Sequence, residues 1–309
     1  MSVLEAAGIR KEFGPLVAVK DVDLSIEEGQ VLGLIGPNGA GKTTLLKMLG
    51  TLLRPTAGSA RLLGYDLARD YLRIRRHVGF LPDFFNLYHD LTLEECLRFF
   101  AEAYSVPAPL ITGRIEQVLE YIELTDKRDS LVRHLSRGMV QRVGLGILLV
   151  HEPPLLLLDE PASGLDPRAR IQLRRILKRL SAAGKTVIIS SHILTELSDF
   201  CSHIAIMNRG EIELTGAVDE IRRKVMGAMQ VEVSVLAETD KAVALIGQFD
   251  GATVVRLDGA TIHLEMTGGP RELADLNARL VQAGIGVVSL SERKTNLEDL
   301  FMKISGDMP

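Results

Sequence analysis

Short apolar runs alternate with amphipathic segments along the first two thirds of the chain. Residues 31–35, 155–158 and 185–190 are the clearest runs, and such runs are typical of strands buried on both faces of a parallel sheet. Residues 168–182 have helical spacing instead, so one face of that helix is predicted to be buried. The predicted inward positions are Ile171, Ile176, Leu177 and Leu180. This alternation of strands and helices predicts an α/β core.

Residues 84–152 have a different pattern and predict a helical insert within this core. Thr92 is the predicted N-cap of its first helix, because acidic residues follow in the first turn. A second helix is predicted over 114–124, with Pro107 and Pro109 separating the two. A third is predicted over 137–150.

From about residue 228 the pattern changes again, and we predict a second domain over 228–309. The predicted order is strand, helix, two strands joined by a hairpin turn at Asp258-Gly259, helix, strand, and a final helix over 296–304. A β-α-β-β-α-β order is that of a ferredoxin-like split unit. Because no metal-ligand spacing or basic aromatic surface is found there, we predict an interaction or regulatory module.

Composition narrows the class of protein. The chain has 309 residues, a net charge of −4 and two cysteines, which argues against a disulfide framework and for a reducing compartment. The N-terminus lacks the apolar segment of a signal peptide, and the longest uncharged apolar runs are far shorter than the ~20 residues that span a bilayer. We therefore expect a cytoplasmic protein that does not bind nucleic acid and reaches a membrane only through a partner.

One stretch carries clear chemistry, and it follows the predicted strand at 31–35. It matches the phosphate-binding pattern G-x-x-x-x-G-K-[ST], in which glycines let the backbone wrap a phosphate at a helix N-terminus. Lys42 is predicted to reach the β- and γ-phosphates, and the Thr43 hydroxyl to ligate Mg²⁺. The stretch consists of Gly36, Pro37, Asn38, Gly39, Ala40, Gly41, Lys42, Thr43 and Thr44.

Two acids follow the leucine run at 155–158, at the strand end where ligands bind in open α/β sheets. Asp159 is the candidate for holding Mg²⁺, and Glu160 is the candidate for deprotonating the attacking water. The alternative interpretation is that both carboxylates only cap the end of the strand.

Residues 135–142, Leu-Ser-Arg-Gly-Met-Val-Gln-Arg, resemble the signature motif of ABC-type ATPase subunits. Further motifs of that family follow the same order: Phe13 matches the aromatic that stacks on adenine, 161–166 looks like the D-loop, and His192 like the switch histidine. The resemblance covers about residues 3–220. It implies a P-loop ABC ATPase core, ATP and Mg²⁺ as bound groups, and catalytic roles for Glu160 and His192.

The resemblance also implies a head-to-tail pair of cassettes. ATP bound by the phosphate loop of one cassette would contact Ser136 and Gly138 of the other. One chain holds one copy of each motif, so a homodimer is the simplest way to complete two sites.

Two positions depart from the family pattern. Arg137 stands where the family usually has glycine. Asp83 stands where Gln or Glu usually contacts the metal, and it is the third candidate ligand beside Thr43 and Asp159. Residues 84–88 follow this position, and they either contact a transmembrane subunit or are core aromatics.

The sequence as a whole predicts an ABC cassette over 1–220, with its helical insert at 84–152, and a small α+β ferredoxin-like domain over 228–309. Residues 295–301 resemble the tail of cassettes for drug and polysaccharide export, which favours an exporter subunit that powers a separately encoded permease. The alternatives are an importer cassette with a regulatory domain, a soluble ABC protein acting on ribosomes or DNA, and a P-loop kinase, which lacks a signature helix.

Overall fold

The computed structural model describes residues 2–193, 197, 200–218, 220–221 and 229–292. These residues belong to two compact units, Met1–Val218 and Asp219–Pro309. The predicted helix over 296–304 and the tail segment at 295–301 lie outside the described residues.

The first unit alternates strands and helices along the chain. Its described strands are β1 (Ser2–Phe13), β2 (Leu16–Glu27), β3 (Val31–Ile35), β4 (Ala57–Leu62), β5 (Tyr65–Asp66), β6 (Val78–Leu81), β7 (Leu155–Leu158), β8 (Thr186–Ser191), β9 (His203–Asn208) and β10 (Glu211–Ala217). Its described helices are α1 (Lys42–Leu49), α2 (Tyr71–His77), α3 (Leu93–Ala103), α4 (Ala108–Tyr121), α5 (Arg137–Leu149) and α6 (Pro167–Ala182).

Two sheets organise this unit. One is antiparallel, in the order β2-β1-β4-β5, and the other has the order β10-β9-β3-β8-β7-β6. In the second sheet every neighbouring pair is parallel except β9 and β10. All residues of β3, β7 and β8 are buried, as the apolar runs predict.

Strand register brings four segments of the chain to one edge of this sheet. Leu81 pairs with Leu158, Leu158 with Ile189, and Ile35 with Ser191. The segments that follow β3, β6, β7 and β8 therefore leave the sheet side by side at the carboxyl ends of the strands, where ligands bind in this class of sheet.

The sequence analysis did not predict helix α2 and strand β6. The apolar signal in β6 is only four residues long and contains Gly79, so its pattern is weak. In the structure Gly79 packs so closely that a Cβ there would lie 2.9 Å from the side chain of Leu156. This close approach lets β6 join the sheet beside β7.

The inward face predicted for helix α6 is wrong at one position. Ile171 is 67% exposed, whereas Leu173 is 1% exposed and packs in the core. Leu173 is two residues further along the helix, a rotation of about 200°, and it shares a face with Ile176, Leu177 and Leu180. The helix therefore buries a stripe that runs from Ala169 through Leu173 to Leu180.

The second helix of the insert begins earlier than predicted. Helix α4 starts at Ala108, and Pro109 lies in its first turn instead of separating two helices. Proline is tolerated there because an amide in the first turn has no partner within the helix.

The predicted N-cap of helix α3 is confirmed. The Thr92 hydroxyl accepts a hydrogen bond from the Glu95 amide at 3.2 Å, and the Glu95 carboxylate accepts one from the Thr92 amide at 2.8 Å. This reciprocal capping box satisfies two backbone donors at the start of the insert.

Glu94 joins helix α3 to the segment that follows α4. Its carboxylate accepts hydrogen bonds from Arg128 Nε at 2.6 Å and from Arg98 Nη2 at 3.0 Å. These two guanidinium groups, Arg128 first, lower the pKa of Glu94 to about 2. The pair stabilises the fold above the ordinary pKa of a glutamate, and this contribution is lost as the pH falls through about 2.

We therefore expect Glu94→Gln to lower the free energy of unfolding by about 1 kcal/mol at pH 7. The difference from the parent should shrink between pH 4.5 and pH 2, the window between the ordinary and the lowered pKa of Glu94. Urea unfolding at several pH values measures it, with the exposed Glu102→Gln of the same helix as control. A difference that does not change with pH would contradict the role of the Glu94 charge.

The second unit has a small sheet covered by two helices. Its described elements are β11 (Met229–Val235), α7 (Thr239–Ile246), β12 (Ala252–Asp258), β13 (Thr261–Met266), α8 (Pro270–Gln282) and β14 (Val287–Glu292). The sheet has the order β12-β13-β11-β14, and every neighbouring pair is antiparallel. Alternate residues of β11 and β13 are buried, which matches period-two strands packed on one face.

Candidate active site

The loop between β3 and α1 is shaped by glycine. Gly39 and Gly41 have φ angles of 83° and 106°, which side-chain-bearing residues rarely adopt. A Cβ at Gly36 would overlap the Met207 carbonyl oxygen, and one at Gly41 would lie 2.5 Å from the Ala18 carbonyl oxygen. The predicted loop thus forms a tight turn at a helix N-terminus, a geometry suited to binding an anion.

The Lys42 side chain folds back into this loop. Its ammonium donates hydrogen bonds to the carbonyl oxygens of Gly36 at 2.6 Å and Pro37 at 3.2 Å. The same ammonium lies 3.3 Å from Glu160 Oε1, and Lys42 as a whole is 5% exposed. The structure therefore brings the predicted phosphate-binding cation and the predicted base together.

Asp159 is held by two hydroxyl groups. Thr43 Oγ1 donates to its Oδ1 at 3.1 Å, and Ser190 Oγ donates to the same oxygen at 2.8 Å. Asp159 is 1% exposed, so these bonds fix the carboxylate at the end of β7. Two predicted Mg²⁺ ligands, Thr43 and Asp159, are thus in direct contact.

The sequence analysis missed Ser190. Besides bonding Asp159, its hydroxyl oxygen accepts a hydrogen bond from the Glu160 amide at 2.9 Å. The available signal was a hydroxyl in a strand whose residues are all buried, since a buried polar group is usually hydrogen-bonded. Ser190 therefore orients both acids at once.

Glu160 and His192 face each other. His192 Nδ1 lies 2.9 Å from Glu160 Oε2, and the other oxygen of Glu160 is buried and lies 3.3 Å from the Lys42 ammonium. Glu160 has a φ of 44°, a left-handed conformation that costs energy for a residue with a side chain. A largely buried carboxylate held beside an ammonium and an imidazole is placed to accept a proton from water.

Asp83 lies beyond the end of β6 and close to both acids. Burial raises the pKa of Asp83, and the charges of Asp159 and Glu160 raise it further, while a hydrogen bond from Ser163 and the charge of Arg137 act in the opposite direction. Its Oδ1 is buried and has no hydrogen-bond partner among the described residues. The structure thus brings Asp83 to the predicted site.

These oxygen ligands fit Mg²⁺, which uses one or two carboxylates, water and substrate phosphate oxygens. Thr43, Asp159 and Asp83 supply hard oxygen atoms, and Asp83 has a buried oxygen without a partner. In the described ranges no group of three or more His, Cys, Asp or Glu side chains could hold a metal ion. A bound Mg²⁺ would therefore depend on phosphate and water for its remaining ligands.

The aromatic side chain of Phe13 lies at the end of β1 and is 45% exposed. The Lys11 ammonium lies 5.1 Å from the centre of its ring. An exposed ring of this kind offers a flat face on which a base can stack.

Comparison with known proteins identifies the family. Residues 19–163 match the profile of the family described as ABC transporter. The chain is 35% identical to the Nod factor export ATP-binding protein I of Cupriavidus metallidurans, over 99% of this chain and 98% of that protein. It is 32% identical to the daunorubicin resistance ATP-binding protein DrrA3 of Streptomyces coeruleorubidus, over 97% and 95%. The chain belongs to the ABC transporter family.

A solved structure supports the fold of this ABC cassette. It is the dimeric ATP-binding cassette MJ0796 in a post-hydrolysis state with ADP and Pi, which is 28% identical to this chain, with a TM-score of 0.63. The match covers 70% of this chain and 98% of that one. The predicted P-loop ABC ATPase fold is confirmed, and the protein is an ATPase. None of the helices in the described ranges has the length and hydrophobicity to cross a membrane.

The signature residues of the cassette lie at the start of helix α5. Ser136 Oγ accepts a hydrogen bond from the Met139 amide at 3.3 Å and so caps the helix. A Cβ at Gly138 would lie 2.5 Å from Ala169 Cβ, so glycine permits close packing of α5 on α6. Among the described residues, no hydrogen bond joins Ser136 or Gly138 to the phosphate loop of the same chain.

Proposed function

We propose that this cassette hydrolyses ATP to power a separately encoded export permease. The observation that carries this proposal is the contact chain in which Lys42, Glu160 and His192 meet beside Asp159 and Thr43. Export is favoured over import because the relatives named above are export and drug-resistance proteins.

Each side chain then has a distinct role. The phosphate loop and Lys42 bind the β- and γ-phosphates, and Phe13 stacks on the adenine. Glu160 accepts the proton of the attacking water, while His192 holds the Glu160 carboxylate and contacts the γ-phosphate. Mg²⁺, when bound by Thr43, Asp159 and Asp83, would neutralise charge on the phosphate oxygens.

We further propose that two copies of the chain form two ATP sites head to tail. Ser136 and Gly138 of one copy would bind the γ-phosphate held by the phosphate loop of the other. The capped N-terminus of α5 supports this role, because a hydroxyl and a helix N-terminus are both suited to bind an anion.

The permease is proposed to contact an aromatic surface made of Phe84, Tyr88 and Phe99. Phe84 is 78% exposed, and the rings of Tyr88 and Phe99 lie 5.2 Å apart edge to face. Phe85 instead packs against Gly144, and Leu87 is buried, so the 84–88 segment divides between core and surface. Exposed aromatic side chains are typical of protein interfaces. The cassette would then be cytoplasmic and bound to the membrane through the permease.

The second unit is proposed to be a ferredoxin-like interaction or regulatory module over 228–309, following a cassette over 1–220. Its β-α-β-β-α-β order and its strand order β12-β13-β11-β14 support this assignment. Sheet packing on two helices gives it a core of its own.

The head-to-tail dimer can be tested by damaging the phosphate loop in one chain and the signature motif in the other. One chain carries Lys42→Ala and the other Ser136→Glu, both in a Glu160→Gln background that preserves bound ATP. In a head-to-tail pair one site combines both defects and the other is intact. We expect ATP-dependent dimers on size exclusion from the mixture and none from either chain alone.

The matched control places Lys42→Ala and Ser136→Glu on the same chain and mixes it with an undamaged partner. Each of the two ATP sites in a mixed dimer then carries one of the two substitutions, so neither site is intact. When the doubly substituted chain is captured by an affinity tag, we expect no partner chain to be retained with it. Equal retention in both mixtures would contradict the head-to-tail arrangement.

A further inference from the structure

Arg137 reaches from the signature helix to a loop that belongs to the catalytic centre. It is the first residue of α5, directly after the Ser136 cap. Its Nη2 donates a hydrogen bond to the Ser163 carbonyl oxygen at 3.2 Å. Ser163 lies in the 161–166 loop, which connects Glu160 to helix α6.

The guanidinium lies directly against the next residue of this loop. Gly164 has a φ of 63°, and a Cβ at this position would overlap the Arg137 guanidinium. Glycine is therefore needed at this position for two reasons: the backbone is left-handed, and the guanidinium occupies the space that a side chain would fill. The arginine and the loop fit each other closely.

The loop is fixed at both ends and held in the middle by Arg137. At its start the Ser163 amide donates to the Glu160 carbonyl oxygen at 3.0 Å. At its end Asp166 caps α6 by accepting bonds from the amides of Arg168 at 2.9 Å and Ala169 at 3.0 Å. Because Glu160 itself has a left-handed backbone, the tightness of this loop helps to hold its side chain in place.

Asp83 lies close to the same loop. Burial is the largest effect on this carboxyl group and raises its pKa, whereas the Ser163 hydroxyl and the Arg137 charge act to lower the pKa of Asp83. The two positions at which the sequence departs from the ABC pattern therefore both lie near Ser163.

We propose that Arg137 is a positioning residue that holds the 161–166 loop and so keeps Glu160 aimed at the attacking water. Arg137 acts through the loop and does not touch the reacting atoms. This inference rests on the ATP hydrolysis proposed above.

Amide hydrogen exchange tests whether Arg137 holds the 161–166 loop, and this measurement does not depend on ATP turnover. In Arg137→Ala, amides in the 161–166 loop should exchange at least about fivefold faster than in the parent, while those of the phosphate loop keep their rates. Arg168→Ala is the matched control, since it removes an exposed arginine beside the same loop. Equal exchange in the two variants would overturn the proposal.

Kinetics then test whether Arg137 acts on the chemical step. Arg137→Ala should lower kcat about tenfold with KM for ATP within about twofold of the parent, and Arg137→Lys should recover part of the loss. An unchanged kcat, or a KM effect alone, would overturn the proposal. A parent without ATPase activity contradicts the proposed function, and the exchange experiment still decides the role of Arg137.

Discussion

Replacing Glu160 with glutamine is expected to lower ATP turnover by about 10³-fold while ATP remains bound. The amide keeps the size of the carboxylate but cannot accept a proton from water. The hydrogen bond to the Ser190 hydroxyl is retained, because its donor is the backbone amide of residue 160. The loss is therefore chemical and not a loss of fold.

Two measurements separate the chemical step from binding. Phosphate release gives turnover, and size exclusion in ATP should show a dimer that does not dissociate. Glu120→Gln, an exposed site on helix α4, makes the same substitution away from the centre and should leave both readouts unchanged. Hydrolysis by the Glu160→Gln variant at a rate near that of the parent would exclude Glu160 as the base.

Lys42→Ala is expected to weaken ATP binding by about 100-fold. The ammonium is almost fully buried and lies on two carbonyl oxygens of the phosphate loop, so it is already desolvated and oriented toward the loop interior. A charge-assisted hydrogen bond in such a place contributes about 1.5–3 kcal/mol, and the triphosphate would lose at least one of them.

Calorimetric titration with ATP measures this loss of affinity. Lys47→Ala on the same helix is the matched control, because it also removes a lysine from α1 but lies in the last turn. Thermal unfolding of both variants checks the fold, since removal of the Lys42 ammonium leaves the Glu160 carboxylate without its ion-pair partner. An affinity for ATP within about tenfold of the parent would contradict the role of Lys42 in the phosphate loop.

The sequence was sufficient to predict local structure wherever that structure depends only on residues close together in the chain. The phosphate loop follows from the spacing of Gly36, Gly41 and Lys42, and the Thr92 cap from the acid three residues later. The buried strands β3, β7 and β8 follow from continuous apolar runs. The sequence pattern failed in β6, where the apolar run is only four residues long. It also failed on α6, where the apolar residue Ile171 lies on the exposed face.

By itself, the sequence determined the class of chemistry: a phosphate-binding loop, two acids after a buried strand, and the ordered motifs of an ABC cassette. Only the tertiary structure decided which of these groups touch. Strand register places Asp83, Asp159 and His192 at one sheet edge, and it brings in Ser190, which carries no motif. The physical reason is that a motif depends on spacing along the chain, whereas hydrogen bonds between β6, β7 and β8 join residues tens of positions apart.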